Sequence, residues 1–216
     1  MRVFPPTHPM IGNKGDVMTV DPSVPGGLSF KPGSSGVVPP VTIASGYWWE
    51  LIKGALTTLA GTGLDGLEMC APFYVPQTQT IKALELETTG AGSSGAKARM
   101  GIRADAGGVP GAVIVDGGAP AATSTGMVST GTLSSPPTLS AGWYWNSVTL
   151  QGAPTTEPTL RALSTGDPRY PIATNTPAAG QAYWGFFQSG VSGALPSTFT
   201  PAGFLTTLVR VFAQQN

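Results

Sequence analysis

Ten consecutive residues constrain this chain more than any other stretch. In Ala96-Lys97-Ala98-Arg99-Met100-Gly101-Ile102-Arg103-Ala104-Asp105 the even positions are apolar and the odd ones are charged or glycine. A period of two does not fit a helix face. It describes a half-buried antiparallel strand, with Ala96, Ala98, Met100, Ile102 and Ala104 turned inward. Further strand-like runs fall at 67–75, 80–88, 112–116, 126–133, 142–151, 159–163, 183–189 and 204–213, each bounded by Gly, Pro, Ser or Asn. Short strands separated by turn signals predict an all-β domain over 67–216, an antiparallel jelly roll or β-sandwich.

Residues 1–66 read differently. Pro5-Pro6, Gly12-Asn13, Asp21-Pro22, Pro25-Gly26-Gly27, Pro32-Gly33-Ser34-Ser35-Gly36 and Pro39-Pro40 leave only short extended pieces such as Asp16–Val20 and Val37-Val38. Such a Pro/Gly-rich segment buries too little apolar surface to offset its ordering entropy, so it is expected to lie extended against another surface. One stretch departs from this pattern. Trp48, Leu51, Ile52, Ala55 and Leu59 recur at helical spacing and predict a short amphipathic helix near 47–60.

Charge narrows the function classes. Eleven basic residues balance eleven acidic ones, and only 10% of the chain is charged, against roughly 25% in an ordinary soluble domain. Zero net charge gives no electrostatic basis for binding nucleic acid or an anionic membrane. Prolines interrupt Met1-Arg2-Val3-Phe4-Pro5-Pro6 before an apolar core of a signal peptide forms. No run of about 18 apolar residues occurs, so membrane insertion is not expected. Residues 117–156 and 170–209 carry no charge at all. Faces of Thr, Ser, Ala and Gly on that scale are poor solvent surfaces for a free monomer and predict covered faces in an assembly.

Catalytic and metal chemistry find little support. The single histidine, His8, sits between Thr7 and Pro9 among the chain breakers, a poor place to hold an oriented imidazole. The single cysteine, Cys70, lies in the strand-like Leu67–Ala71 and reads as a buried, inert thiol. Glu85 and Glu87 share one strand face, but it is the solvent face opposite Leu84 and Leu86, where a glycosidase pair is not expected. Asp105 to Gly111, followed by Asp116, could place carboxylates around a calcium ion, yet two acids do not fill six positions. A tight hairpin through Gly107-Gly108 is the expectation there. No nucleotide-binding or zinc-protease motif is present, so no catalytic residue, metal site or cofactor is predicted. Two sets of residues remain for recognition. Trp143 and Trp145 point to one side of a strand: facing inward they fill the sandwich core, and facing outward they would form a platform for sugar rings. In the connection from Thr165 to Gln181, Asp167, Arg169 and Asn175 offer directional hydrogen bonds and Tyr170 a stacking face.

A resemblance adds to this reading. The run Met100–Asp116, with its Asp105-Ala-Gly-Gly-Val-Pro-Gly111 hairpin, is similar to jelly-roll modules of bacteriophage tail or head fibres and of secreted bacterial surface proteins. Gly142-Trp143-Tyr144-Trp145 looks like the Gly-x-Tyr-Trp strand of the same modules, and Gly15–Phe30 resembles linker units of phage fibres. The resemblance implies a non-enzymatic virion protein, assembled in the host cytoplasm, with a docking leader over 1–66 and an outward jelly roll. Other virion proteins, further copies of itself (a homotrimer) and a host surface glycan are the partners it implies. A head fibre or capsid decoration protein, or the carbohydrate-binding module of an adhesin, are the alternatives.

Overall fold

A computed structural model describes residues 43–60, 62–153, 155–165 and 183–216, together with the backbone of two strands nearer the start. Those two, β1 (Val17–Val20) and β2 (Leu28–Lys31), pair antiparallel with Val17 opposite Lys31 and belong to a separate unit, Met1–Val41. The second unit, Thr42–Asn216, contains every other strand among the described residues. It is an all-β sandwich of two antiparallel sheets, as the period-two runs predict.

The first sheet has eight strands. Its path runs β15 (Leu208–Val209), β12 (Thr159–Leu163), β6 (Gln79–Gly90), β16 (Val211–Gln215) and β3 (Trp48–Glu50). Off this path, β9 (Gly126–Ser129) and β10 (Thr138–Leu139) also pair with β6, and β4 (Leu56–Leu59) pairs with β12. The second sheet has six strands, ordered β14 (Gly203–Leu205), β13 (Gly185–Gln188), β5 (Glu68–Val75), β11 (Gly142–Gln151), β7 (Lys97–Asp105) and β8 (Pro110–Asp116). Facing residues interdigitate between the sheets. Met69, Ala71, Phe73 and Val75 of β5, Ala98, Met100 and Ile102 of β7, and Val148 and Leu150 of β11 meet Ile81, Leu84 and Leu86 of β6, Leu160 of β12, and Val211 and Ala213 of β16.

Residues 47–60 form no helix. Their helical spacing comes instead from strand, bend and strand. Trp49 pairs opposite Ala213 and turns its ring edge-on to Phe73, with 6.3 Å between centroids. Leu51 and Ile52 are buried at the bend, and Leu56–Leu59 pairs with β12. Long-range pairing decides here, because a short helix interrupted by Gly54 has little intrinsic stability. The sandwich therefore begins near Thr42, and residues 42–66 belong to it rather than to the leader. The extended piece at Val37-Val38 and His8 lie outside the described residues.

Candidate functional site

The odd residues of β7 alternate away from the core, as their sequence predicts, with Lys97 and Asp105 exposed at the strand ends but Gly101 and Arg103 buried. Arg103 has no exposed surface, and neither has Glu68 on β5. Alternation on four strands brings Glu68, Arg103, Ser147 of β11 and Gln188 of β13 to the outer face of the six-stranded sheet, where Gln188 stands opposite Glu68 in register. The Arg103 guanidinium donates to both Glu68 oxygens, Nε to Oε1 at 2.6 Å and Nη2 to Oε2 at 3.0 Å. Ser147 Oγ donates to Oε1 and Gln188 Nε2 to Oε2, each at 2.5 Å. Cys70 adds a weaker donation from Sγ to Oε1 at 3.6 Å. Two dry charges are tolerable only when paired and saturated with hydrogen bonds, and these are.

A fourteen-residue strap between β13 and β14, Ser189–Ala202, seals this face. Its apolar residues Val191, Leu195 and Phe199 recur every fourth position and are buried. Polar groups of the sheet hold it from beneath. Arg103 donates to the Pro196 carbonyl at 2.9 Å, and Gln151 Nε2 to the carbonyls of Val191 and Gly193 at 3.1 and 2.8 Å. Asp116 accepts the Leu195 N–H at 2.9 Å, and Gln188 Oε1 accepts the Thr200 N–H at 2.7 Å. Gly101 makes room for the strap, because a Cβ there would lie 2.4 Å from Leu195 Cδ1 and 2.7 Å from the Val115 carbonyl oxygen. The strap folds into a concavity of about 520 Å³, lined by Gln188 and by residues of the strap itself.

The electrostatics follow from this packing. Burial alone would raise the Asp116 carboxyl, but the N–H groups of Leu195 and Gly118 and the Arg99 guanidinium outweigh it and hold it below its ordinary range. Burial, reinforced by the neighbouring Glu68 carboxylate, pushes the Cys70 thiol well above its ordinary value, which leaves it un-ionised and unreactive.

Two of the predicted recognition residues lie among those described. Trp143 and Trp145 do share the outer face, but they form no platform. Trp145 is fully buried beneath the strap side of the sheet, with Nε1 donating to Asp105 Oδ1 at 2.8 Å and its ring 5.6 Å from Phe186. This part of the outer face is covered by Phe199 and Phe204. Trp143 is half-buried and packs against the exposed Tyr74, with centroids 5.2 Å apart. Asp167, Arg169, Tyr170 and Asn175 lie outside the described residues.

Asp116 and Glu87 are engaged in ion pairs. Around the 105–116 turn, Gly107 and Gly108 adopt φ of 72° and 97°, Ala106 N–H donates to the Val109 carbonyl, and Asp116 takes Arg99 Nη1 on both oxygens at 2.6 and 2.7 Å. This is the tight hairpin. Among the described residues no three His, Cys, Asp or Glu side chains cluster as a metal site. Glu87 accepts from Arg161 Nε and Nη2 at 3.1 and 3.0 Å, while Arg210 pairs with Glu50 at 2.7 Å on the same sheet. Hydrogen bonds from Arg161 lower the Glu87 carboxyl, and partial burial raises that of Glu85.

Sequence reasoning missed Glu68, Arg103 and the strap. The four-residue repeat of Val191, Leu195 and Phe199 inside a charge-free stretch was the available signal that something covers the odd positions of β7. No protein-family model matches this chain, and no curated protein is similar to it in sequence.

Proposed function

We propose that this chain is a non-enzymatic structural component of a bacteriophage particle, an exposed tail fibre or spike element that works as an oligomer, most simply a trimer. The observation that carries this reading is the distribution of charge. The sandwich sinks an ion pair under its strap, while Ala121, Thr123, Ser124, Thr125, Met127, Thr132, Ser134, Ser135 and Thr138 lie exposed in a stretch without one charged residue. Tyr47, Trp48, Leu56 and Met127 add exposed apolar surface, with Tyr47 at 67% and Leu56 at 59%. A surface of hydroxyls and scattered apolar groups suits contact with other protein better than life as a free monomer. The fibre-type leader and the Gly-Gly hairpin supply the phage context by resemblance.

The test is an inventory of purified particles by mass spectrometry, followed by antibody labelling under the electron microscope. Detection at stoichiometric level supports the reading, and label on the tail rather than the head selects the fibre or spike over a capsid decoration. Absence from every virion fraction overturns it.

A further inference from the structure

The strap concavity has a lining whose chemistry selects a ligand class, and neither Trp143 nor Trp145 is among the residues that line it. We infer that it is a binding site for a neutral, polyhydroxylated ligand, a mono- or disaccharide unit of an uncharged glycan. The reading deepens the virion proposal and rests on it for the biological source of the sugar.

Four features carry the inference. The volume of about 520 Å³ falls within the roughly 300–1,000 Å³ of small-ligand sites. None of the twelve lining residues is charged, and Ser189, Ser192, Thr198 and Thr200 contribute hydroxyl groups able both to donate and to accept. Among the described residues, phosphate, carboxylate and ammonium ligands find no counter-charge there, because Arg103, Glu68 and Asp116 are neutralised beneath the strap by the bonds described above. Finally, the hollow is held in shape. The carbonyls of Val191, Gly193 and Pro196 are tied down to Gln151 and Arg103, and Gln188 bridges the Thr200 N–H to the buried ion pair. A site fixed before the ligand arrives loses less ordering entropy on binding. Without an aromatic wall each contact is weak, so millimolar affinity per site is expected, multiplied by avidity in an oligomer.

Gly193 offers a clean block. Gly193 lines the hollow, a Cβ there meets no atom within 4 Å and its φ lies outside the left-handed region, so Gly193→Trp places bulk at the hollow without straining the strap. The experiment is saturation-transfer NMR on the isolated full chain, with glucose, galactose, N-acetylglucosamine and their disaccharides at millimolar concentration, and glucuronate as the charged control. The expected result is transfer to at least one neutral sugar, at least tenfold weaker transfer to glucuronate, and loss of the signal in Gly193→Trp at unchanged thermal midpoint. Should Gly193→Trp fail to fold, the paired change Ser192→Ala with Thr198→Ala, both at exposed positions, must reduce binding instead. No transfer to any neutral sugar, equal or stronger binding of glucuronate, or undiminished binding by the variants overturns the site. Because the isolated chain is used, that failure leaves the virion inventory untouched, and a negative inventory leaves the sugar site standing.

Discussion

Glu68 and Arg103 have no contact with water, and each satisfies the other through two hydrogen bonds. Removing one partner strands a buried charge. Arg103→Met should therefore cost about 3–5 kcal/mol, whereas Arg103→Met combined with Glu68→Leu should recover much of the loss. Chemical denaturation of the three proteins checks this, and a double variant no better than the single one would place the cost in packing against Phe199, whose ring centre lies 5.4 Å from the guanidinium carbon. Asp116 gives the pH counterpart. Its folded carboxyl titrates below the unfolded one, so its stabilisation is complete above the ordinary carboxylate range and disappears as pH falls through the lowered value. Asp116→Asn should flatten the acid side of the stability profile and leave the alkaline side parallel to wild type.

At the scale of elements the strap depends on one missing side chain. A Cβ at Gly101 would collide with Leu195 and with the β8 backbone, so Gly101→Ala should destabilise by about 1–3 kcal/mol and loosen the strap first. Limited proteolysis with cleavage appearing inside 189–202 before the sheets unfold is the expected outcome, and unchanged resistance would show that Leu195 simply moves aside. The same element marks where sequence stops being sufficient. β7 is readable because its apolar and charged residues alternate, and β5, β11 and β12 because turn residues punctuate their strand-like runs. Alternation reports two faces but not what covers them. Arg103 therefore reads as solvent-facing until the strap is known, and Trp145 reads as a possible platform. Residues 47–60 fail for a related reason: apolar spacing of a bend between two strands imitates a helix turn, and only pairing with β16 and β12 separates them. Nothing local in Gln188 or Ser147 signals that they share one carboxylate.

For the whole molecule, the boundary near Thr42 decides what the leader can do. Both sheets, the strap and their shared core fall within Thr42–Asn216, and the first strand of that unit, β3, is held at a sheet edge by β16 alone. Among the described residues the buried core cluster begins at Leu51, with Trp49 packed against it. Folding of the sandwich should therefore be independent of the first 41 residues. A chain starting at Thr42 should show the same thermal midpoint within a few degrees and the same far-ultraviolet spectrum shape in its β region. Under the proposed function the leader docks on a partner surface, an expectation drawn from its few apolar side chains and many chain breakers. In particles complemented with the shortened chain, the sandwich should be made, remain soluble enough to purify and fail to incorporate. Light scattering of the two forms adds the assembly arm. An oligomer that survives the deletion puts self-association on the charge-free faces of the sandwich, while a shift to monomer puts it on the leader. A full-length chain that is a stable monomer at micromolar concentration would remove the oligomer and weaken the virion proposal with it. Unfolding of the shortened chain would instead make the leader part of the core and end the docking role.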